Sequence, residues 1–119
     1  MSDVIEWVLE MQVQDGQADN VMPLLKDMVA ATQADEPGAL HYEYYMPEDG
    51  STCTVLERYS DNAAVMVHLG NFGAKFAERF MTCFAPTRFT VYGPANAEVM
   101  DGLAGLGATN QARVAGFHR

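Results

Sequence analysis

Apolar and polar side chains alternate along the first segment of the chain, from Val4 to Gln14. The apolar residues take every second position, and acidic or amide side chains take most of the positions between them. These apolar residues are Ile5, Trp7, Leu9, Met11 and Val13. In a strand, a period of two places all of them on one face. The pattern therefore predicts a half-buried β-strand that ends at the Asp15-Gly16 turn.

The period changes to that of a helix between Ala18 and Ala34. The stripe at helical spacing consists of Val21, Leu24, Leu25, Met28, Ala31 and Thr32. Pro23 has no backbone N–H, which a helix tolerates best in its first turn, so the regular helix is expected to begin near Asp19 or Asn20. It is expected to end within Asp35-Glu36-Pro37-Gly38, because a proline moves the preceding residue out of the helical conformation.

Two further alternating segments follow, separated by the turn sequence Pro47-Glu48-Asp49-Gly50. The first, from Ala39 to Met46, places one set of side chains on a common face: Leu40, Tyr42, Tyr44 and Met46. The second, from Thr52 to Tyr59, places another set on the face expected to meet the interior: Cys53, Val55, Glu57 and Tyr59. Two strands joined by a short turn are expected to form a β-hairpin.

The second of these strands leads directly into a helix. Ser60 is expected to cap that helix, and Asp61 is favoured by the positive end of the helix dipole. His68 lies about two turns further along. Gly70-Asn71 is expected to end the helix, with Asn71 as a candidate cap for the next one.

A second helix is expected from Phe72 to Thr82. Its aromatic stripe, Phe72, Phe76 and Phe80, is interpreted as packing against the sheet, with a ligand-pocket wall as the alternative. Residues 86–93 predict a fourth strand, residues 96–104 a short helix, and residues 102–107 a glycine-rich loop. Residues 111–117 are interpreted as a short edge strand or as a tail that lies on a partner chain.

The order β-α-β-β-α-α-β predicts an α+β fold of the ferredoxin-like, split βαβ kind, with a four-stranded antiparallel sheet and helices on one face. The opposite face is not uniformly polar, since it carries Val4, Val8, His41, Tyr45 and Leu56. Such a face needs a cover, and the simplest cover is a second copy of the chain. We therefore expect a homodimer. Residues 1–94 would form the folded unit, and residues 95–119 a C-terminal extension that packs on the partner subunit.

The charge balance excludes several classes of partner. The chain has 16 acidic and 7 basic residues, a formal net charge of −9, and the basic residues are scattered. Binding to nucleic acid or to an anionic membrane requires a basic patch, so neither is expected. No segment has the length of a transmembrane helix, and the N-terminus lacks the features of a signal peptide, so a cytoplasmic location is expected.

The cysteines and histidines do not form a metal-binding pattern. Cys53 and Cys83 have no zinc-site spacing and are expected to be reduced thiols. His41, His68 and His118 fall on three different elements. No metal site is therefore expected, and no glycine-rich loop has the strand-loop-helix context of a phosphate site.

Glu57 is the position at which the apolar pattern and the residue type conflict. An ionised carboxylate is costly to bury, so Glu57 is expected to be paired, to have a raised pKa, or to line a cavity that holds water or ligand. His68 is the candidate partner, because the strand leads directly into its helix. The two would form a proton-transfer pair. In the structural alternative, a neighbouring arginine or tyrosine satisfies Glu57 and the pair has no catalytic role.

Three segments, taken in order, resemble the antibiotic biosynthesis monooxygenase (ABM) domain family of the dimeric α+β barrel superfamily. They are residues 36–44 (EPGALHYEY), residues 55–61 (VLERYSD), and Ala64 together with His68. The resemblance covers about residues 4–93 and implies a dimeric barrel with a cavity between sheet and helices in each subunit. The family includes cofactor-free oxygenases of phenols and quinols, haem-degrading enzymes and an isomerase, so the fold alone does not determine the activity.

The resemblance extends to single residues. Glu57 and Tyr59 match the family's Glu-x-aromatic motif at the end of the third strand, and His68 matches its helix histidine. The polyketide-oxidising branch has an asparagine and a tyrosine where this chain has Val55 and Val65. The haem-degrading branch has other residue types at three positions, which here are Leu9, His68 and Glu78. Haem degradation is therefore not expected.

The sequence thus predicts a monooxygenase that needs no cofactor and acts on a small aromatic quinol or phenol. His68 and Glu57 are the predicted catalytic residues. The predicted substrate-binding residues supply aromatic walls: Tyr59, Tyr44, Tyr42, Trp7, Phe72 and Phe76. The alternatives are a non-oxidative isomerase, a dimeric domain that binds a small ligand, or a non-catalytic structural dimer. Activity in the absence of oxygen would distinguish the isomerase.

Overall fold

The structure, a computed structural model, describes residues 2–119. These residues form five strands, four α-helices and one 3₁₀ turn. In chain order the elements are β1 (Ile5–Val13), α1 (Ala18–Asp35), β2 (Ala39–Tyr45), β3 (Thr52–Tyr59), α2 (Asn62–Lys75), α3 (Ala77–Cys83), β4 (Phe84–Tyr92), α4 (Ala97–Leu103), the 3₁₀ turn (Ala104–Leu106) and β5 (Thr109–Gln111). The predicted order β-α-β-β-α-α-β is confirmed for β1 through β4, and three further elements follow it.

The strands form one sheet in the order β2-β3-β1-β4-β5. β1 is antiparallel to β3 on one side and to β4 on the other, and β2 pairs with β3 as the predicted hairpin. These four strands confirm the ferredoxin-like fold with its antiparallel sheet. A fifth, short strand extends the sheet, because β5 lies parallel to β4. Of the segment predicted as an edge strand or tail, β5 includes only Gln111.

The core lies between one face of the sheet and the helices. The predicted interior faces of β1 and β3 are buried, and they contribute Ile5, Trp7, Leu9, Met11, Cys53, Val55, Glu57 and Tyr59. From the helix side, α1 contributes Val21, Leu24, Leu25 and Met28. Full burial of one large apolar side chain contributes roughly 1.5–3 kcal/mol. This layer therefore holds the helices on the sheet.

α1 begins at Ala18, slightly before the expected start, and Pro23 lies in its second turn instead of its first. A proline at that depth removes one intrahelical hydrogen bond. The buried side chains on both sides of it, Val21 and Leu24, offset this loss by packing on the sheet. Tertiary packing thus overrides a local preference here.

α2 continues through Gly70 and Asn71 to Lys75, so the predicted end of this helix is wrong. A single glycine within a helix costs only about 1 kcal/mol. The Asn71 side chain donates a hydrogen bond to Glu36 instead of capping a new helix. The break falls later, at Phe76, where α2 ends and α3 begins.

Asp61 is the cap of α2. Its carboxylate accepts a hydrogen bond from the Ala64 N–H at 2.8 Å. The prediction of Ser60 as the cap is wrong by one residue. The Ser60 N–H instead donates to the carbonyl of Gly38 at 2.9 Å, which extends the pairing of β2 with β3. Both residue types suit a cap, so the position of the strand pairing decides between them.

A bulge in β2 changes which side chains share a face. The register of β2 against β3 shifts between Ala39 and His41, so Leu40 is the extra residue. Leu40 is 54% exposed, and its predicted place on the same face as Tyr42 and Tyr44 is wrong. One inserted residue reverses the alternation on one side of the bulge.

The C-terminal elements differ from the expectation in detail. β4 begins at Phe84, two residues before the predicted start. The short helix α4 is confirmed, and its cap Asn96 accepts a hydrogen bond from the Val99 N–H. Much of the expected loop at residues 102–107 is helical, because the buried Leu103 ends α4 and a 3₁₀ turn follows.

Within residues 2–119, the helices are too short or too polar to cross a bilayer.

Gly38 lies where the chain passes the first turn of α2. A β-carbon added there would lie 2.6 Å from the Ala64 Cβ and 3.2 Å from the Ser60 Oγ. We predict that Gly38→Ala lowers the free energy of unfolding by about 1–3 kcal/mol, because the strand-helix contact must open. Urea denaturation monitored by circular dichroism measures this change.

Gly73→Ala in α2 is the matched control. A β-carbon at Gly73 would have no neighbour within 4 Å, and alanine favours the helix by about 1 kcal/mol. Gly73→Ala is therefore expected to be neutral or stabilising. A Gly38→Ala variant as stable as the wild type would contradict the close approach of strand and helix.

Candidate functional site

Glu57 lies in the middle of β3, on the face of the sheet that meets the helices. It is opposite Trp7 of β1 and Tyr42 of β2, and only 6% of the residue is exposed. Alternation along β3 determines this orientation, since Val55 and Tyr59 are buried on the same face. The strand therefore places a carboxylate inside an otherwise apolar layer.

Three donors surround the Glu57 carboxylate. The Trp7 Nε1–H donates to Oε2 at 2.6 Å, and the Tyr59 hydroxyl donates to Oε1 at 2.6 Å. Nε2 of His68 lies 3.3 Å from Oε1. The neighbouring Arg58 pairs with Glu6 instead. Of the two partners in the structural alternative, the arginine is therefore wrong, whereas a tyrosine does contact Glu57, as Tyr59.

The surroundings of Glu57 combine the three outcomes that the sequence leaves open. The carboxylate is paired, and it lines a cavity. Burial raises the pKa of Glu57, while the charge of His68 and the hydrogen bonds from Tyr59 and Trp7 oppose the rise. A carboxyl group with a raised pKa is a stronger proton acceptor than an exposed one, which suits proton transfer.

His68 extends from α2 toward this carboxylate and is itself buried. Its Nδ1 lies 2.8 Å from Oε1 of Glu36, and its Nε2 faces Glu57. Burial alone would lower the pKa of His68. The hydrogen bond with Glu36 and the charges of Glu57 and Glu36 outweigh burial and raise that pKa. The imidazole is thus held between two carboxylates that stabilise its protonated form.

Sequence reasoning missed Glu36. The Pro37-Gly38 pair after it predicts a turn, yet only 6% of Glu36 is exposed. A signal for its burial is present, because the buried positions Met28 and Thr32 of α1 continue at a spacing of four residues to Glu36. The strong turn signal conceals this continuation.

Tyr42 and Phe72 pack against the imidazole, and Tyr44 is hydrogen-bonded to Tyr42. The hydroxyl groups of Tyr42 and Tyr44 are hydrogen-bonded at 2.8 Å. The Tyr42 ring meets the His68 ring edge-on with centroids 5.6 Å apart, and Phe72 stacks on His68 at 6.2 Å. Burial raises the pKa of both tyrosines far above the ordinary value. Both hydroxyls therefore remain protonated and can donate hydrogen bonds.

Most of the predicted site residues meet at one cavity. Those that line it are Trp7, Tyr42, Tyr44, Glu57, His68 and Phe72. Tyr59 contacts the site through its hydrogen bond to Glu57, and its ring packs 4.9 Å from that of Trp7. Phe76 lies at the break between α2 and α3 and is not part of the cavity wall.

The cavity is small and otherwise apolar. Its volume is about 30 Å³, and the rest of its wall consists of Leu9, Leu69, Phe80, Phe89, Leu103 and Leu106. A single water occupies roughly 10–15 Å³ by this measure, so this space has room for a water molecule but not for an aromatic ring. A shallow groove of about 690 Å³ lies between α1 and β2. Tyr42 and Tyr44 line both spaces and therefore separate them.

Comparison with known proteins identifies the scaffold. Residues 5–79 match the family model described as antibiotic biosynthesis monooxygenase. The crystal structure of MupZ from Pseudomonas fluorescens is similar over 100% of this chain and 91% of that chain, with 20% identity and a TM-score of 0.86. A candidate antibiotic biosynthesis monooxygenase from Caulobacter crescentus is 26% identical, covers 76% of this chain and 86% of that chain, and has a TM-score of 0.62.

These similarities define how much of the chain is shared. The Caulobacter structure covers about three quarters of the chain, whereas the MupZ structure also covers the C-terminal extension. No curated protein sequence matches the chain significantly. The fold is therefore well supported, and the chemistry has to be argued from the residues at the cavity.

The raised pKa values of His68 and Glu57 predict how stability depends on pH. Each group binds its proton more tightly in the folded state. The His68 contribution is fully present below its unfolded pKa of about 6.5 and is lost as the pH rises through the folded pKa. We predict that the free energy of unfolding falls as the pH rises above neutrality, by about 1.4 kcal/mol for each unit between the two pKa values.

Urea denaturation at several pH values above neutrality measures the slope of the free energy of unfolding against pH. In His68→Gln that part of the slope is expected to flatten, because the titrating group is absent. The control is His41→Gln, which removes a histidine of β2 that pairs with Glu43, away from this cavity, and keeps the slope. Equal flattening in both variants would contradict the assignment to His68.

Proposed function

Because the chain belongs to the antibiotic biosynthesis monooxygenase family, we propose that it is a monooxygenase that oxidises a small aromatic quinol or phenol without a cofactor. The observation that carries the proposal is the Glu57–His68 pair, with 3.3 Å between carboxylate and imidazole in a cavity with aromatic and aliphatic walls. Such a site offers a proton acceptor in surroundings from which bulk water is excluded.

The proposed reaction begins with transfer of a proton from a substrate hydroxyl to the Glu57–His68 pair. The resulting phenolate reduces O₂ by one electron, and the two radicals combine as a peroxide. The peroxide then loses water. A hydroquinone and O₂ thus give a hydroxyquinone and one water molecule. The substrate supplies all four electrons, so the protein has only to accept the proton, orient the ring and exclude water.

The cavity wall favours an uncharged ring. Its only groups that carry charge near neutral pH are Glu57 and His68, and its wall has no lysine or arginine. A ligand with a carboxylate or phosphate would add a third negative charge to those of Glu36 and Glu57, with His68 as the cation between them, which is costly in an apolar site. Trp7, Tyr42 and Phe72 offer aromatic faces and edges on which a neutral ring can pack.

Substrate entry requires a movement, because the cavity of about 30 Å³ is smaller than any aromatic ring. The Tyr42–Tyr44 pair is the proposed entrance, since it separates the cavity from the groove between α1 and β2. The Tyr44 hydroxyl also contacts the sulfur of Met28, at 3.8 Å, which is a weak hydrogen bond. Rotation of the pair would join the two spaces.

The substrate is proposed to differ from those of the polyketide-oxidising branch. That branch has polar residues where this chain has Val55 and Val65. Both valines are buried in the core, and neither can donate a hydrogen bond to a ligand. The polar contacts to a substrate would therefore come from Tyr42, Tyr44 and His68, which line the cavity.

A second candidate function is a non-oxidative isomerisation by proton transfer. The observation that favours it is the position of His68 between Glu36 and Glu57, which raises the pKa of the imidazole and stabilises its proton. A protonated imidazole beside a carboxylate provides an acid and a base in one site. Such a reaction requires no oxygen.

Oxygen consumption with a panel of hydroquinones tests the proposed oxidation. We predict that Glu57→Gln and His68→Ala each lower kcat/KM by about 10²–10⁴-fold, because general acid–base catalysis contributes that much. His41→Ala is the control and is expected to retain the activity. Full turnover by His68→Ala would remove His68 from the chemistry, and undiminished turnover without oxygen would favour the isomerase.

The proposed assembly is a homodimer formed through the face of the sheet opposite the helices. Leu56 and Val8 are opposite each other on this face and are half-buried. Tyr45 is 51% exposed and Tyr92 is 38% exposed. A second copy related by a twofold axis would bury these apolar and aromatic side chains.

The C-terminal extension, residues 95–119, is proposed to contribute to both the site and the dimer. Leu103 and Leu106 of this segment form part of the cavity wall. Beyond β5, Val114 is 96% exposed and Phe117 is 80% exposed. Two exposed apolar side chains so close together suit contact with a partner subunit.

Leu56→Arg is predicted to convert a dimer into a monomer, because it places a charge at the centre of the proposed interface. Sedimentation equilibrium at micromolar concentration measures the mass. The control is Val67→Arg, at a 53% exposed position on α2, which is expected to leave the mass unchanged. A wild-type chain that sediments as a monomer would contradict the proposed dimer.

A further inference from the structure

Glu36 is a buried carboxylate that the proposed reaction has not yet used. It follows the last residue of α1, and its backbone N–H donates to the Thr32 carbonyl at 3.0 Å. Its own carbonyl accepts from the Ala39 N–H at 3.0 Å. Both backbone groups are therefore engaged, one in the last turn of α1 and one at the start of β2. The side chain extends from a rigid position.

Both oxygens of Glu36 are directed at α2. Oε1 lies 2.8 Å from Nδ1 of His68, and Oε2 accepts from Nδ2 of Asn71 at 3.3 Å. His68 and Asn71 are three residues apart and share one face of the helix. Burial acts to raise the pKa of Glu36, but the hydrogen bond and charge of His68 and the hydrogen bond from Asn71 lower it. Glu36 is therefore ionised at neutral pH.

The Glu36 contact determines which imidazole nitrogen carries a proton. An ionised carboxylate only accepts hydrogen bonds, so Nδ1 of His68 must be the donor. In the neutral imidazole, Nε2 then carries the lone pair. Nε2 is the nitrogen that lies 3.3 Å from Glu57. The nitrogen able to gain and lose a proton is thus directed toward the other carboxylate and away from Glu36.

Among residues 2–119, no other group around His68 is placed to hold the proton on Nδ1 as Glu36 does. The titratable and polar groups that face the imidazole from the neighbouring elements are Glu36, Glu57, Tyr59, Tyr42 and Trp7. The two carboxylates are the charged members of this set. Glu57 lies on the Nε2 side, so Glu36 is the charge that acts on Nδ1.

We propose that Glu36 is a positioning residue, which holds the Nδ1 proton of His68 so that Nε2 exchanges protons with Glu57 and with the ligand. In the forward step, Nε2 or Glu57 accepts the hydroxyl proton of the ligand, and the imidazolium is stabilised by the Glu36 charge. The proton returns to water when the product leaves. The kinetic part of this inference rests on the proposed function, whereas the state of His68 does not.

Glu36→Gln tests the proposal with little change in shape. The amide oxygen can still accept from Nδ1, but the negative charge is absent. Nitrogen-15 NMR of the two ring nitrogens reports both the tautomer and the titration of His68. We expect the titration midpoint to move to lower pH in Glu36→Gln. If the amide turns and presents its NH₂ group, the spectrum instead shows the proton on Nε2, which equally supports the role of Glu36.

Asp35→Asn is the matched control. Asp35 is the preceding residue, is more than half exposed and pairs with Lys75 at 3.5 Å. The substitution removes the same charge from the same end of α1 without a contact to His68. We expect the midpoint and the tautomer to stay as in the wild type. An unchanged spectrum in Glu36→Gln, or an equal change in both variants, would overturn the proposal.

A second variant addresses misfolding of Glu36→Gln. Glu36→Asp keeps the negative charge but shortens the side chain by one methylene, which withdraws the carboxylate from Nδ1 of His68. It is expected to move the His68 midpoint in the same direction by a smaller amount. If Glu36→Gln does not fold and Glu36→Asp leaves the midpoint in place, the proposal is overturned.

Kinetics separate this inference from the proposed function. If a quinol is oxidised, the limb of the kcat profile that follows His68 is expected to move to lower pH in Glu36→Gln, with KM little changed. Asp35→Asn is expected to retain the wild-type profile. A midpoint that moves by NMR while no quinol is oxidised would refute the monooxygenase and leave the positioning role standing. If Glu36→Gln oxidises a quinol and its His68 spectrum is that of the wild type, the positioning role is refuted and the monooxygenase proposal stands.

Discussion

Burial of the Glu57 carboxylate is the constraint on which the rest of the site depends. A charge in an apolar layer is tolerated only when donors surround it. Those donors come from β1, β3 and α2, as Trp7, Tyr59 and His68. The histidine must in turn be satisfied at its second nitrogen, and Glu36 at the end of α1 does so. One buried carboxylate thus requires precise placement of four elements.

The same contacts that satisfy these charges also suit them to proton transfer. Each carboxylate stabilises the imidazolium form of His68, and the apolar wall keeps bulk water away. A structural role and a chemical role are therefore not exclusive at this site. The aromatic rings around the imidazole give it a fixed orientation, and the tyrosine pair closes the cavity toward the groove between α1 and β2.

Members of one family can share this scaffold and differ in the polar groups that line it. In this chain Val55 and Val65 make part of the interior apolar, and the charged side chains of the interior are gathered in the Glu36, His68 and Glu57 cluster. The C-terminal extension contributes Leu103 and Leu106 to the same wall. Substrate choice in such a site follows from the shape and charge of the wall, because the fold itself is common to many reactions.

The sequence by itself determined the strands, the helix order and the interior position of Glu57, because alternation and helical spacing act between near neighbours. It did not determine the cap at Asp61, the continuation of α2 through Gly70, or the bulge at Leu40, where packing and strand pairing outweigh local preference. Only the tertiary structure joined His68 to Glu36, 32 residues away. A buried charge pairs with whichever group the packed elements bring close to it. A local sequence pattern contains no information about which distant residue that will be.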